Sequence, residues 1–199
     1  MAITSLNALI ASVSSNKKWR TDFNKITGAS AYTAGRAYDM SALNGHPIAN
    51  AWAGTALTFT ECDEATGNGT QIFGIRHGGN VSTDIKHMLN LGAITTAATG
   101  VPSTLYLVDI EGYWPTVSNN TTSAQTLSGT PSLRATNGEG LRLYWVQTAV
   151  AGATAQNINI SYTDQAGNTG NTLPVTTAMT ASAIVGHISH AGIAANNYT

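Results

Sequence analysis

Much of the chain after residue 55 is divided into short segments of apolar and polar residues, bounded by residues typical of turns. Residues 156–163 are the clearest case, because Ile158, Ile160 and Tyr162 fall on one face of a strand. Short strands separated by turn signals predict a mainly β fold, an antiparallel β-sandwich of the jelly-roll or immunoglobulin-like kind. The other predicted strands are residues 55–60, 71–76, 104–110, 141–148, 173–177 and 183–188.

One or two short helices are predicted in the N-terminal half. In residues 5–13 the apolar side chains recur at helical spacing, and Ser5 can cap the first turn. Residues 82–92 repeat these signals, with an acidic first turn and with Gly92 to end the helix.

The remaining stretches are predicted as loops. Residues 28–54 have no sustained period and are rich in small residues, and residues 117–134 are rich in Asn, Thr, Ser and Gly. Residues 164–170 form a predicted turn between two strands. We therefore predict a helix and extended loop arm over residues 1–54, followed by a β-sandwich domain over residues 55–199.

Charged residues are scarce, at 10% of the 199 residues, where an ordinary soluble domain has about 25%. The net charge is -1, so the composition offers no basic surface for a nucleic acid and no attraction to an anionic membrane. A surface of hydroxyl and amide groups favours packing against other proteins over charge-steered catalysis. We therefore expect a structural role and no enzymatic activity.

Export and membrane insertion are not expected. The chain has no run of about 20 apolar residues, and its start has no positive segment before an apolar core. Cys62 is the only cysteine, so no internal disulfide can form. These features favour synthesis in a reducing cytoplasm.

Three groups of polar residues are candidate sites. Asp109 and Glu111 share one face of a predicted strand, as glycosidase carboxylates sometimes do, but a turn at a strand end is the preferred interpretation. His187 and His190 have the spacing of a helical metal pair but lie in strand-like sequence. The acidic residues of segment 61–64 lack the spacing of a calcium loop. We predict no catalytic residues, no metal and no cofactor.

Six aromatic residues are predicted to contact protein partners. Trp19 lies in the basic cluster 16–20, which we interpret as a solvated helix end, with a docking arm for an acidic surface as the alternative. Three others lie in the long loop 28–54, and the last two follow the strand predicted over 104–110. The six are Trp19, Tyr32, Tyr38, Trp52, Tyr113 and Trp114.

Residues 1–10, 32–40, 141–146 and 158–168 resemble segments of tailed-bacteriophage virion structural proteins of the capsid-associated or decoration type. The resemblance implies a non-enzymatic protein that decorates or cements the capsid shell. It implies contacts with the major capsid protein or other virion proteins, and a homo-oligomer, with a trimer as one arrangement. It also implies a location in the virion after assembly in the host cytoplasm.

The alternative function is a carbohydrate- or receptor-binding module of a phage tail or fibre. That function requires exposed aromatic rings on one face, for which Trp52, Tyr113 and Trp114 are the candidates. A third hypothesis, a glycoside-active enzyme, would use Asp109 and Glu111.

Overall fold

The computed structural model describes residues 4–15, 21–26, 32–33, 35–62, 74–75, 87–94, 104–129, 141–164, 166–174 and 176–191. Over these residues the fold is mainly β, with one α-helix, α1 (Leu6–Ser14), and one 3-10 helix at Met40–Ala42. The strands are β1 (Asn24–Lys25), β2 (Ala37–Tyr38), β3 (Gly45–His46), β4 (Thr60–Glu61), β5 (Gly112–Tyr113), β6 (Tyr144–Val146), β7 (Asn157–Ile158), β8 (Ser161–Tyr162), β9 (Asn171–Thr172), β10 (Thr177–Ala178) and β11 (His187–His190).

The predicted N-terminal helix is confirmed by α1. Ser5 is its N-cap, and its hydroxyl accepts a hydrogen bond from the backbone N–H of Ala8 at 3.2 Å. The helix ends where the backbone N–H of Ser15 donates to the carbonyl of Ala11 at 3.0 Å. A side-chain cap of this kind satisfies one of the four N–H groups that a helix start leaves unpaired.

The prediction of a helix over residues 82–92 is wrong for residues 87–92, which have no helical structure. Residues 82–86 lie outside the described residues. Met88 and Leu89 are 67% and 60% exposed, so the predicted apolar stripe packs on nothing within the described chain. A short helix depends on such packing for its stability, since its nucleation is unfavourable.

The largest sheet has three strands in the order β2–β11–β6, with both pairings antiparallel. In its central strand β11, His187 and Ser189 are buried, and the alternate residues are half-buried. His187 lies opposite Tyr38, and Ser189 lies opposite Trp145. The strand predicted over 141–148 is therefore present in shortened form, and the strand predicted over 183–188 begins only at His187 and extends to His190. A segment predicted as loop supplies the third strand.

Four two-stranded antiparallel sheets accompany it, and they pair β1 with β3, β4 with β5, β7 with β10 and β8 with β9. The strand predicted over 156–163 is interrupted, so its two parts, β7 and β8, join different partners. The turn predicted over 164–170 is confirmed between β8 and β9. Its Asp164 carboxylate accepts hydrogen bonds from the backbone N–H groups of Ala166 at 3.0 Å and Asn168 at 2.9 Å.

Three other predicted strands differ from the structure where it describes them. Residues 104–110 contain no strand, although their apolar run is strongly β-prone. In segment 55–60 the strand begins only at Thr60, because a turn occupies residues 54–57. Residues 71–73 and 76 lie outside the described residues, and 74–75 contain no strand.

Few side chains in the described part of the chain are buried. The buried apolar residues are Leu43, Trp52, Pro115, Met179 and Ala183. The described strands form several small antiparallel sheets and no closed barrel. The sandwich architecture and the domain boundary after residue 54 therefore stay predictions. Among the described residues, no helix is long and apolar enough to span a bilayer.

Candidate partner-binding surface

Two of the predicted partner-binding residues meet beside the β4–β5 sheet. The rings of Trp52 and Tyr113 lie edge to face, with centroids 4.9 Å apart and an interplanar angle of 86°. The Tyr113 hydroxyl donates a hydrogen bond of 2.7 Å to the carbonyl of Ala53. Burial, and to a lesser extent Cys62, raises the pKa of Tyr113 to about 12. The pair therefore ties the end of the long loop to strand β5.

Trp114, the next residue along the chain, makes a separate contact. Its ring lies 4.9 Å from that of Phe59, and its indole N–H donates to the carbonyl of Ser128 at 3.0 Å. Successive side chains of an extended chain point to opposite faces, which explains why Tyr113 and Trp114 have different partners. The Phe59 ring also covers Gly112, where a Cβ atom would collide with it.

Tyr32 and Tyr38 meet at the edge of the three-stranded sheet. Their centroids are 4.5 Å apart, and the Tyr38 ring contacts the His187 ring at 5.6 Å. The Tyr38 hydroxyl accepts a hydrogen bond from the backbone N–H of Thr33 at 3.0 Å. His187 is 2% exposed, and neither of its ring nitrogens has a hydrogen-bond partner. Burial lowers the pKa of His187, and the charge of Arg36 lowers it further.

The structure thus joins four of the six predicted residues in two ring pairs, Trp52 with Tyr113 and Tyr32 with Tyr38. Trp114 packs separately on Phe59, and Trp19 lies outside the described residues. Trp52 is only 8% exposed and meets Tyr113 edge to face. A sugar-stacking platform instead needs open ring faces. Trp52 therefore packs inside the protein, whereas Tyr32, Tyr38, Tyr113 and Trp114 are half-buried, and their contact with a partner stays a prediction.

The surface of α1 is a better candidate contact. Leu6, Ile10 and Val13 are 69%, 56% and 37% exposed, and the helix contains no buried residue. These three side chains fall within one stripe of the helix, since residues three and four apart are neighbours on its surface. The helix also carries no charged residue. The sequence correctly predicted this stripe, but its exposure was not foreseen.

A second exposed apolar surface was missed as a site by sequence reasoning. Leu105, Tyr106, Leu107 and Val108 are all more than half exposed. The signal that could have marked them is their continuous apolar run, which is typical of a strand covered on both faces. Nothing within the described residues covers them.

The polar residues considered as candidate sites have different surroundings. Asp109 is exposed and Glu111 is half-buried, at the start of the β5 region. His190 packs against the ring of Tyr144 with centroids 5.1 Å apart, whereas His187 contacts Tyr38. Within the described ranges, no three His, Cys, Asp or Glu side chains are grouped to hold a metal. Segment 63–64 lies outside those ranges.

A cavity of about 300 Å³ lies between the 119–120 loop and the turn after β6. Its polar lining consists of neutral amides and hydroxyls, from Asn119, Asn120, Thr154, Gln156 and Thr180. Such a lining suits neutral hydroxyl or peptide groups and offers no charge for acid–base chemistry.

Comparison with family models, curated proteins and solved structures yields no match to this chain.

Proposed function

We propose that this chain is a non-enzymatic structural protein of a tailed-bacteriophage virion, which decorates or cements the capsid shell. Its partner is the major capsid protein or another virion protein. The observation that carries the proposal is the exposed, uncharged apolar stripe of α1. In this proposal α1 is the part of the N-terminal arm that reaches a neighbouring subunit, because β2 of the same stretch is held in the sheet by β11.

In an assembly, a groove on the partner would cover the apolar stripe of α1. Leu6 and Ile10 are more than half exposed, so docking them into a groove would remove apolar surface from water. A nine-residue helix is marginal without packing, so a partner would also stabilise the helix itself. Because α1 carries no charge, the contact would depend little on salt, as a shell protein requires.

The test compares lysine substitutions at two neighbouring positions of α1. Ile10→Lys places an ammonium group in the exposed apolar stripe, whereas Ala11→Lys places the same group outside the stripe, about 100° further around the helix. We expect Ile10→Lys to lose binding to virions depleted of this protein, and Ala11→Lys to bind like the parent. Both variants should retain the parent's circular dichroism spectrum. Equal binding of both variants to the virions would contradict the proposal that α1 is the contact surface.

Cryo-electron microscopy of virions from the source of this chain tests its location. We expect density on the outer face of the capsid shell, bridging neighbouring subunits, with α1 inserted into one of them. Density confined to the tail or a fibre would contradict the decoration role. Density absent from the whole particle would contradict a virion function.

The alternative function is a carbohydrate- or receptor-binding module of a tail or fibre. The observation that favours it is the cavity lined by neutral amides and hydroxyls. Asn120 and Gln156 both offer a donor and an acceptor to sugar hydroxyls there. A glycan array, repeated with Asn120→Ala, tests it: binding that this substitution abolishes would support the alternative, and an array without hits would exclude it.

For the fold, we propose that the small sheets belong to an antiparallel β-sandwich of the jelly-roll or immunoglobulin-like kind. Support comes from the antiparallel pairing of every named strand pair in the described residues. It also comes from β11, which pairs with β2 and β6 and so joins distant parts of the chain. A high-resolution map of the assembled particle would test this architecture directly.

A further inference from the structure

Four backbone carbonyl oxygens converge on one point of the structure, which the ammonium nitrogen of Lys25 occupies. The distances from Nζ to these oxygens range from 2.6 to 3.4 Å. A lysine ammonium group has three N–H donors, so it cannot give each of four acceptors a hydrogen bond of its own. Oxygens that outnumber the N–H groups are typical of ion coordination, in which neutral carbonyls surround a charge. The four oxygens, which we call the carbonyl cage, belong to Ser41, Leu43, Pro47 and Ile48.

The carbonyl cage is held in place by contacts that do not involve the lysine side chain. The backbone N–H and the hydroxyl of Ser41 donate to the Asp39 carboxylate at 2.8 and 2.7 Å. The Ser41 carbonyl also accepts a hydrogen bond from the backbone N–H of Asn50 at 2.9 Å. The backbone N–H of Leu43 donates to the carbonyl of Met40 at 3.2 Å. The oxygens of Ser41 and Leu43 should therefore keep their positions when the lysine side chain is shortened.

The pairing of β1 with β3 brings the backbone at position 25 against the segment that carries the cage. Lys25 lies opposite Gly45, and the backbone N–H of Ile26 donates to the carbonyl of Asn44 at 2.8 Å. A Cβ atom at Gly45 would collide with the carbonyl oxygen of Asn24, so the two backbones are in close contact. These contacts are made by the backbone, and a substitution at position 25 leaves them intact.

The surroundings of Nζ favour a positive charge. The Phe23 ring centroid lies 5.3 Å from Nζ, within the range of a cation–π contact. Burial lowers the pKa of Lys25, and the negative charge of Asp39 opposes that lowering. Carbonyl oxygens, an aromatic face and a carboxylate all attract a cation, whether or not a side chain carries it.

The size of the cage selects for a large monovalent ion. Ca²⁺ binds oxygens at about 2.3–2.6 Å and Mg²⁺ at about 2.0–2.1 Å, so three of the four oxygens lie too far from the central point for either ion. Neutral carbonyls also bring no charge to offset the dehydration of a divalent ion. K⁺ and NH₄⁺ have nearly the size of the lysine ammonium group, and rings of carbonyl oxygens replace the hydration shell of K⁺ in channel filters.

We propose that the carbonyl cage is a binding site for a monovalent cation of the size of K⁺ or NH₄⁺, and that the Lys25 ammonium group fills it as an attached substitute for the free ion. Because the ammonium group is tethered beside the cage, its effective concentration excludes free ions from the parent protein. The inference goes beyond the proposed capsid function and does not depend on it.

Replacing Lys25 by methionine tests whether a free ion can take the place of its ammonium group. The methionine side chain ends one atom short of Nζ, so Lys25→Met leaves the centre of the carbonyl cage open. Arg142→Met is the matched control, because it also removes one positive charge, from an exposed residue. Urea denaturation midpoints in lithium, potassium and ammonium chloride are compared with those in choline chloride, whose cation is too large for the cage, at the same ionic strength.

We expect K⁺ and NH₄⁺ to raise the midpoint of Lys25→Met along a saturating curve, as a ligand that binds only the folded state does. At about 0.2 M, either ion should recover about half or more of the midpoint that the substitution loses. Li⁺ should recover little, because it is too small to contact the oxygens together. The parent and Arg142→Met should respond alike to each salt, since Lys25 fills the cage in both.

An equal response of Lys25→Met and Arg142→Met to K⁺ would overturn the proposal. Equal recovery of Lys25→Met in Li⁺ and in K⁺ would also overturn it, because that result is a general effect of salt. A Lys25→Met chain that K⁺ does not restore would overturn it as well. None of these results bears on virion binding, which is measured separately.

A measurement on the parent does not depend on any substitution. An exposed lysine ammonium group exchanges its protons with water too fast near neutral pH to give a resolved NMR signal. We expect the Lys25 ammonium group to give such a signal, with couplings across hydrogen bonds to the carbonyl carbons of Leu43 and Pro47. Fast exchange of the Lys25 ammonium protons would overturn the proposal, since the cage would then be open to water.

Discussion

The ammonium nitrogen of Lys25 lies 2.6 Å from the carbonyl oxygen of Pro47, and it donates a hydrogen bond to that oxygen. Nζ also lies 5.3 Å from the centroid of the Phe23 ring. Lys25 belongs to β1, which pairs with β3, so one side chain joins the strand pair to the loop around it. Its other acceptors are the carbonyl oxygens of Leu43 at 3.0 Å, Ser41 at 3.3 Å and Ile48 at 3.4 Å.

Lys25→Met is expected to destabilise the protein. Methionine keeps much of the apolar stem but leaves the Leu43 and Pro47 carbonyls without their charged donor. Losing hydrogen bonds of this kind should lower the free energy of unfolding by about 1–2 kcal/mol. Urea denaturation followed by tryptophan fluorescence measures the change. Arg142→Met, which removes an exposed cation, should shift the same free energy by less than about 0.5 kcal/mol.

Gly112→Ala should destabilise the β4–β5 sheet. A Cβ atom at position 112 would collide with the Phe59 ring and lie 2.6 Å from the carbonyl oxygen of Thr60. Forcing a methyl group into such a packed position costs about 1–3 kcal/mol. Gly152→Ala is the matched control, because a Cβ atom there meets nothing within 4 Å. Equal denaturation midpoints for the two variants would contradict the packing described for Phe59.

The sequence predicted elements that depend on neighbouring residues better than elements that depend on residues far apart in the chain. Helix α1 was predictable because its cap, Ser5, and its apolar stripe are local signals that the helix itself uses. The pairing of β2 with β11 joins residues about 150 positions apart, and no local pattern in Ala37–Tyr38 indicates it. Tertiary contacts, and not the local sequence, therefore decide which strand pairs with a two-residue strand such as β2.

The aromatic residues illustrate the same limit for the site. Sequence reasoning selected Trp52 and Tyr113 as rings that contact a protein partner and as candidates for a sugar-stacking face. The structure brings them together, but it uses their rings to pack on each other. Conversely, the run at 104–108 has the composition of a strand, but the structure forms no strand there. A run of apolar residues indicates that a segment is suited to burial, but it does not show which residues bury it.

The stability of the protein should fall as the pH is lowered below about 6.5. Burial lowers the pKa of His187, so the unfolded chain binds a proton at a higher pH than the folded chain does. The contribution of His187 to stability is fully present above the pKa that this residue has in the unfolded chain. It is lost as the pH falls toward the lower pKa of His187 in the folded protein. Denaturation midpoints between about pH 7.5 and pH 5 measure this.

Substitutions at two histidines separate this effect from the general response to acid. His187→Phe keeps an aromatic ring against Tyr38 and removes the titrating group, so the midpoint should depend less on pH than in the parent. His87→Phe, at an exposed residue, should leave the parent's pH dependence unchanged. An unaltered pH profile in His187→Phe would show that other groups govern acid sensitivity.

Association through the exposed apolar surfaces should depend little on salt. The stripe of α1 and residues 104–108 carry no charge, and surface ion pairs are the contacts that salt screens. Between about 0.05 M and 1 M NaCl, the dissociation constant for virion binding should rise by no more than about twofold. Interfaces held by charge would weaken by far more as the Debye length falls from above about 10 Å to about 3 Å. Sodium sulfate, which strengthens apolar burial, should tighten binding, and weakening in sulfate, or by more than about twofold in NaCl, would contradict a neutral interface.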